Sequence, residues 1–503
     1  MTAAATRLPE YDVIVIGAGF SGIGAGIKLD EAGFGHYLIL EKHDGVGGAW
    51  HANTYPGVAV DIPSFSYSFS FEQNPDWSRV YAPGTELKAY AEHCVDKYGL
   101  RDRIRLNTNV VATDFDERND LWRIETTTGQ TMTARHIVTA VGVLTQPKKP
   151  DIVGVDDFAG TLMHTAQWDH SQDLTGKRVA IIGTGASAVQ VIPSIAPDVE
   201  HLTVFQRTAI WVMPKMDAPL RGPVQAVLRR VPLTKTASRL AAHALVESTF
   251  VLAAQYYATA PALVKGGEQL AKLHLRRQVR DVETRRKLTP HYGLGCKRPS
   301  FSNEYLAAFN RDNVTLETDS IERITPTGIR TADGTEHEVD VLILATGFKV
   351  FENGNMPPYR VTGIGGVDLE KWFDANRFQA YHGVSVPGFP NLFSILGPYG
   401  YNGTSYFQLI ENQMRHIVRL LKTARKQHAV RIEVTAEANE QYWQTMLGRR
   451  GRTVFFNNDC GSFNSYYFDK HGDVPFRAAS SLEAFWQSDH FALDDYTFEP
   501  ASV

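Results

Sequence analysis

Tyr11-Asp12-Val13-Ile14-Val15-Ile16-Gly17-Ala18-Gly19-Phe20-Ser21-Gly22 is the stretch that decides the fold. Tyr11 to Ile16 is a short, β-branched apolar run, which suits a strand buried on both faces of a parallel sheet. It feeds directly into a G-x-G-x-x-G turn and a helical pattern, GIGAGIKLDEAG. A second apolar run, Tyr37 to Leu40, then ends on Glu41, nineteen residues after Gly22. Strand, glycine turn, helix, strand and acid in this order form a dinucleotide-binding unit. Gly17 permits the tight turn, Gly19 lets the backbone approach a pyrophosphate, and Gly22 lets helix and strand pack closely. The helix N-terminus stabilises the phosphate charge, and Glu41 can accept from the adenosine ribose hydroxyls. Gly17, Gly19, Ser21, Gly22 and Glu41 are therefore the first candidate cofactor set.

The pattern recurs. Lys177 to Ile182 is another buried-strand run, followed by Gly183-Thr184-Gly185-Ala186-Ser187-Ala188, a G-x-G-x-x-A variant that opens a helix. The next strand, Leu202 to Phe205, ends not on an acid but on Gln206-Arg207-Thr208. A carboxylate there would repel a ribose 2′-phosphate, whereas Arg207 would pair with it. The alternative is a solvated arginine at a strand end. Two sites imply two cofactors, FAD on the Glu41 side and NADPH on the Arg207 side. Ile137–Gly142 and Val341–Phe348 are apolar strands ending in glycine turns, where the chain would pass between domains. The expectation is an α/β chain with two Rossmann-like dinucleotide-binding domains and a helical insertion. The FAD domain would be split, 1–145 and 345–503, around an NADP domain over 146–344 whose helical insertion covers about 217–290.

Composition permits this. With 503 residues, 43% hydrophobic and 21% charged, the chain is neither disordered, collagen-like nor a small disulfide scaffold, and has room for two to four domains. Its formal charge of −4 gives no reason to expect nucleic acid. That figure averages unequal parts. Arg221 to Pro290 holds 13 Lys/Arg against four acids, net +9, which leaves −13 for the remainder. This basic, helical segment has three readings: a solvated cap on the NADP domain, a wall of the substrate channel, or a surface that skims an anionic membrane. Its apolar part, Ala241–Val264, contains His243, Glu247, Gln255 and Pro261 and is rejected as a membrane span. Cys94, Cys296 and Cys460 are far apart, and no C-x-x-C exists, so neither a redox pair nor a thiolate zinc site is expected, and no metal. Three free thiols would fit a cytoplasmic protein.

Between the two nucleotide units lies Phe158-Ala159-Gly160-Thr161-Leu162-Met163-His164-Thr165-Ala166-Gln167-Trp168-Asp169. This resembles the F-x-G-x-x-x-H-x-x-x-W-[P/D] fingerprint of type I Baeyer–Villiger monooxygenases. The resemblance runs over roughly residues 10 to 480. It makes Phe158, Gly160, His164, Trp168 and Asp169 a hinge that couples domain movement to cofactor placement, so His164 is not read as a catalytic base. Gly47-Gly48-Ala49-Trp50 and Tyr55 to Asp61 are similar to the family's flavin-contacting stretch, which brings Gly48, Trp50 and Asp61 into the cofactor set. Phe65, Tyr67, Phe69 and Phe71 alternate with serines, a period that puts four aromatics on one face of a strand. An ordinary core face is the reading for all but Tyr67, which matches a flavin-contacting tyrosine. Val110 matches the position whose backbone meets the FAD adenine. Gly295 to Pro299 resembles the segment carrying an NADP-contacting lysine, here Lys297, and a catalytic arginine, here Arg298.

The resemblance implies conversion of a small-molecule ketone to an ester or lactone with NADPH and O2, through a C4a-peroxyflavin. Arg298 would stabilise the developing negative charge, and Asp61 would pair with and orient it; a structural ion pair is the plain alternative. Two segments depart from the family pattern: Phe463-Asn464-Ser465-Tyr466-Tyr467, where many relatives carry Ser-Trp-Tyr, and the tyrosine-rich loop from Tyr399 to Tyr406. They line either the substrate pocket or the core. Rival functions are a flavin N- or S-monooxygenase, a disulfide or electron-carrier reductase, and a non-catalytic redox sensor.

Overall fold

The computed structural model describes residues 8–458, 460 and 465–501. Its first sheet begins with β1 (Tyr11–Ile16), followed by helix α1 (Phe20–Glu31), β2 (Tyr37–Leu40), β3 (Ile104–Arg105), β4 (Val110–Asp116), β5 (Leu121–Thr126) and β6 (Thr131–Thr139). β3, β2, β1 and β6 lie side by side and parallel. β4 and β5 continue the sheet antiparallel beyond β6. Val13, Ile14 and Val15 are fully buried, and their alternation feeds two cores. Val13 and Val15 pack with α1 and the aromatic cluster of Phe20, Phe69 and Phe407. Ile14 and Ile16 pack with Trp122, Phe389 and Leu392 on the other face.

The second sheet is wholly parallel. It contains β7 (Thr161–His164), β8 (Arg178–Ile182), β9 (His201–Phe205), β10 (Val314–Glu317) and β11 (Val341–Leu344), in the order β10-β9-β8-β11-β7. Helix α2 (Ala186–Ile195) joins β8 to β9. After β11 the chain returns to the first sheet as β12 (Arg360–Thr362), paired with β4, and β13 (Leu392–Ser394), paired with β6. The expected class, α/β with two dinucleotide folds, is what the chain adopts. The basic segment is helical: α3 (Gly222–Arg230), α4 (Pro232–Val246), a π-helical turn (Glu247–Leu252) and α5 (Pro261–Gln278). Among the described residues, no helix is long and apolar enough to cross a membrane. Helix α6 (Tyr406–Gln427) packs on α1 so closely that a Cβ on Gly24 would lie 2.7 Å from the Ile410 side chain.

Two expectations fail. The Phe65–Phe71 stretch forms turns rather than a strand: Ser66 and Tyr67 donate their N–H groups to the Pro63 carbonyl. Ser64, Ser66 and Ser68 are as buried as Phe69, so the period-two pattern does not separate an inner from an outer face. The hydroxyls are tied to backbone instead, as in Ser66 Oγ to Pro63 O at 2.9 Å and Ser64 Oγ accepting from Ala82 N at 2.8 Å. The three free thiols are also wrong. Cys296 and Cys460 form a disulfide across 164 residues, with Cα atoms 5.0 Å apart, and Cys94 is the buried free thiol. Sequence distance hid the pairing, and the cytoplasmic reading loses the support of three free thiols.

Candidate functional site

The glycines of the first loop are imposed by close backbone. Gly17 has φ +106°, and a Cβ on it would lie 2.8 Å from the Ala140 carbonyl oxygen. A Cβ on Gly22 would lie 1.8 Å from the Gly17 carbonyl oxygen, so only glycine lets α1 sit against the end of β1. Gly48, at φ +57°, abuts Gly19 in the same way, with 2.9 Å to its Cα. Glu41 is 4% exposed and ties the loop together. Its Oε2 accepts from Ala18 N at 2.7 Å, its Oε1 accepts from His43 N at 2.9 Å, and its carbonyl accepts from Thr108 N at 2.7 Å, two residues before Val110. Each carboxylate oxygen keeps a lone pair for another donor. No side chain caps α1, whose N-cap is Gly19, so its first-turn N–H groups are free for an anion. At the loop's edge, Ser21 Oγ lies 2.7 Å from Tyr406 Oη, and Trp50 donates through Nε1 to Tyr67 Oη at 3.1 Å. Burial pushes the Tyr67 phenol up, and the Trp50 contact offsets this only in part.

The second loop repeats the geometry with one difference. Gly183 has φ +112°, and a Cβ there would lie 2.5 Å from the Ala345 carbonyl oxygen, the counterpart of Gly17 against Ala140. Ala188 is fully buried where the third glycine stood. Gly185 faces open space: a Cβ on it would meet no atom within 4 Å, and it caps α2 without a side-chain hydrogen bond. Thr184 Oγ1 donates to the Thr208 carbonyl at 3.1 Å, which fixes the end of β9 beside the loop; Ala186 and Ser187 open the helix. Arg207 is exposed. Lys297 is held below the ordinary lysine pKa, first by burial and then by the Arg207 charge. Its Nζ stands 5.3 Å above the Tyr292 ring. Neither cation pairs with a carboxylate among the described residues.

Arg298, next in the chain, does pair. Its Nε and Nη2 each reach Asp61 Oδ2 at 2.7 Å, and the two side chains are 29% and 34% exposed. Burial pulls the guanidinium down, but the Asp61 carboxylate, together with Tyr401, Tyr467 and Tyr466, outweighs it and holds Arg298 well above its ordinary value. The Phe250 ring, from the π-helical turn, lies 5.6 Å from the guanidinium carbon. Tyr401, Tyr466 and Tyr467 thus gather at Arg298, whereas Tyr399 is core: it is 3% exposed, and its carbonyl accepts from Tyr442 Oη. Phe463 and Asn464 lie outside the described residues.

Asp61 ends a stretch that is clamped to the second dinucleotide unit. Gln190, on α2, donates to the Ala59 carbonyl at 3.0 Å and accepts from Tyr55 Oη at 3.0 Å. Gly57 rests on the same helix, where a Cβ would lie 2.3 Å from Ser194 Oγ. The fingerprint lies elsewhere in this unit. Gly160 lets β7 close on the Asp340 carbonyl, Phe158 is buried beneath it, and Trp168 packs on the second core. His164 ends β7; its Nδ1 accepts from Ala166 N at 3.0 Å, and its Nε2 is buried. Burial lowers its pKa, with the Gly347 backbone offsetting part. A neutral imidazole bonded to its own turn suits a hinge better than a base. Asp169 accepts from the backbone and hydroxyl of Ser171 and is held low by those bonds.

Gln190 and Phe250 were not singled out by sequence reasoning. Gln190 sits where the helix facing the first unit would present a polar group, so helical phase was the available signal. Phe250 had none, because a wide turn displaces it from α-helical phase.

A family model described as pyridine nucleotide-disulphide oxidoreductase matches residues 14–231. A Baeyer-Villiger monooxygenase of Pseudomonas aeruginosa is 40% identical over 92% of this chain and 86% of its own length. The phenazine N-monooxygenase PhzNO1 of Lysobacter antibioticus is 34% identical over 89% and 88%. Among solved structures, cyclohexanone monooxygenase from Rhodococcus sp. Phi1 bound to NADP+ superposes with TM-score 0.87 at 30% identity, covering 98% of this chain and 99% of that one. The OTEMO complex with FAD and NADP gives TM-score 0.86 at 26% identity over 98% and 100%.

Proposed function

The chain belongs to the Baeyer–Villiger monooxygenase family, and we propose that its own residues serve the conversion of a ketone to an ester or lactone in the roles that follow. It is an FAD- and NADPH-dependent flavoprotein monooxygenase. The residues present fit both cofactors. Gly17, Gly22 and Gly48 lie against backbone that a Cβ would strike, which lets the loop close tightly around Gly19 at the helix end, with a buried carboxylate, Glu41, at its ribose side. Gly185 opens the second cradle, and Arg207 with Lys297 supplies unpaired positive charge for a 2′-phosphate. When bound, FAD reduced by NADPH supplies the oxygen chemistry that inserts one atom of O2 beside the carbonyl.

Arg298 carries the reading. Asp61 holds it charged and oriented beside Tyr401, Tyr466 and Tyr467. An arginine cannot release its proton in the working pH range, so Arg298 is a fixed donor for the negative charge that develops on the substrate carbonyl oxygen. Tyr401 and Tyr466 offer aromatic walls with polar tips, and Phe250 a purely apolar one, for a mostly apolar carbonyl compound. Trp50 and Tyr67 brace the flavin side. We place the domain limits at 1–145, 146–344 and 345–503, with 217–290 as the helical insertion; the return of β12 and β13 to the first sheet supports this. Similarity to a phenazine N-monooxygenase favours a second reading, oxygenation of a soft heteroatom.

A panel of ketones, sulfides and aromatic N-heterocycles, scored by mass spectrometry for addition of one oxygen with NADPH consumed, decides between them. Ester from at least one ketone is expected. Oxygenated heteroatoms with no ester from any ketone would replace the first reading by the second.

A further inference from the structure

We propose that the helical pair α3–α4 is a docking face for an anionic lipid surface. Nine of the 22 exposed large hydrophobic residues among those described fall between Val224 and Leu273, about a tenth of the chain. The inner faces of the pair are committed. Leu228, Ala242 and Val246 are buried, and Arg239 donates to the Ser68 carbonyl at 2.7 Å, which holds α4 rigidly on the body. The outer faces are apolar at helical spacing: Val224, Val227 and Val231 on the first helix and its end, Leu233 and Leu240 on the second. Leu233 is 75% exposed and Leu240 64%. Of the five cations in residues 221–246, Arg239 is buried on the Ser68 carbonyl and Arg229 pairs with Asp76, which leaves Arg221, Arg230 and Lys235 without a carboxylate partner among the described residues, and the segment itself holds no acid.

This combination selects its occupant. Aliphatic side chains flanked by Lys and Arg suit the boundary between headgroups and acyl chains, where long cationic side chains reach the phosphates while their stems lie on apolar surface. A protein partner would be expected to meet Trp or Tyr anchors, and residues 221–246 contain neither. The other exposed apolar group, Leu482, Phe485 and Trp486, lies on a helix that carries Glu483 and Asp489 and no Lys or Arg of its own, so the charge argument does not extend to it. α4 runs on through the π-helical turn to Phe250 at Arg298, so a docked face stands one helix away from the candidate centre. The docking itself does not depend on what is oxidised there.

The test is co-sedimentation of the full chain with vesicles of phosphatidylcholine alone or mixed with phosphatidylglycerol. Binding is expected only to the mixed vesicles, and should fall at least about tenfold in about 1 M salt, where the screening length is ~3 Å. Leu233→Asp with Leu240→Asp, and separately Arg230→Glu with Lys235→Glu, should each abolish it. Leu482→Asp should leave it intact. No binding to the mixed vesicles at low salt overturns the proposal, as does binding that survives the Leu233/Leu240 change. Self-association that those two substitutions remove, without any vesicle binding, would reassign the face to a second copy.

Discussion

Arg298 and Asp61, 237 positions apart in sequence, meet at a single carboxylate oxygen that receives both Nε and Nη2 of the guanidinium at 2.7 Å. Such an arrangement fixes the plane of the guanidinium while leaving its remaining N–H groups directed elsewhere. Arg298→Ala should still let NADPH reduce the flavin, followed by absorbance, but ester formation should fall by about 10²–10³ or more. Asp61→Asn keeps the cation and loses its orientation, so turnover should drop by roughly 10–100-fold. Wild-type ester yield from Arg298→Ala would remove the assignment.

Arg207 and Lys297 should separate the two nicotinamide cofactors. A hydrogen bond to a charged group contributes about 1.5–3 kcal/mol, so Arg207→Ala should raise the KM for NADPH roughly 10–100-fold and leave that for NADH nearly unchanged. Lys297 is held low by burial and by Arg207. It therefore loses its proton at a lower pH than a free lysine, and kcat/KM for NADPH should decline on the alkaline side accordingly. In Arg207→Ala that decline should move to higher pH. An equal effect on NADPH and NADH would show that this pair does not read the 2′-phosphate.

Gly22 and Gly185, the third glycine of the first loop and the second of the other, differ in the space around them. Gly22→Ala puts a Cβ 1.8 Å from the Gly17 carbonyl oxygen, so expression without bound flavin, or no folded protein, is expected. Gly185→Ala meets nothing within 4 Å. Its Tm and flavin content should match wild type while NADPH affinity falls, because the methyl group occupies the approach to the pyrophosphate. Wild-type NADPH affinity in Gly185→Ala would argue against that helix end as the binding position.

The second sheet carries its own pH dependence. Arg178, which starts β8, donates to Asp340, which precedes β11, and Asp340 is lowered from 3.8 to about 2 chiefly by that side chain. A folded-state pKa below the unfolded one contributes stability above pH 3.8 that is lost as pH falls through about 2. Asp340→Asn should lower Tm by about a degree at neutral pH, since the pair is partly exposed and the chain long, and the gap from wild type should close between those two values. A gap that persists at pH 2 would mean the carboxylate charge is not what stabilises the pair.

Cysteine labelling checks the disulfide. In denaturant without reductant, one cysteine per chain, Cys94, should be alkylated, and all three after reduction. Three labels before reduction would exclude the Cys296–Cys460 bond.

Much of the α/β framework was legible because its determinants are local. Tyr11–Gly22 and Arg178–Ala188 carry strand, turn and helix within a dozen residues, and β1, α1, β8 and α2 form where those signals lie. The candidate centre was legible only by resemblance, since no local rule brings Asp61 to Arg298. What stayed hidden depends on long-range packing: the pairing of Cys296 with Cys460, the hold of Gln190 on Tyr55 and Ala59, and Phe250 over Arg298. The Phe65–Phe71 stretch misled for the converse reason. A period of two needs an inside and an outside, and here serines and aromatics are buried together.

Lys297 and Arg298 are neighbours in the chain, so their Cα atoms are about 3.8 Å apart, yet one side chain answers to Arg207 and the other to Asp61. A single peptide unit therefore works as a rigid yoke between the nicotinamide-nucleotide unit and the stretch that ends at Asp61. The Cys296–Cys460 bond adds a third arm, fastening the yoke to the segment that leads to Tyr466 and Tyr467. In the proposed mechanism, a sliding of one sheet against the other would reach Arg298 and the tyrosines beside it through this peptide unit. A substitution that retunes one of the three should then register in the other two.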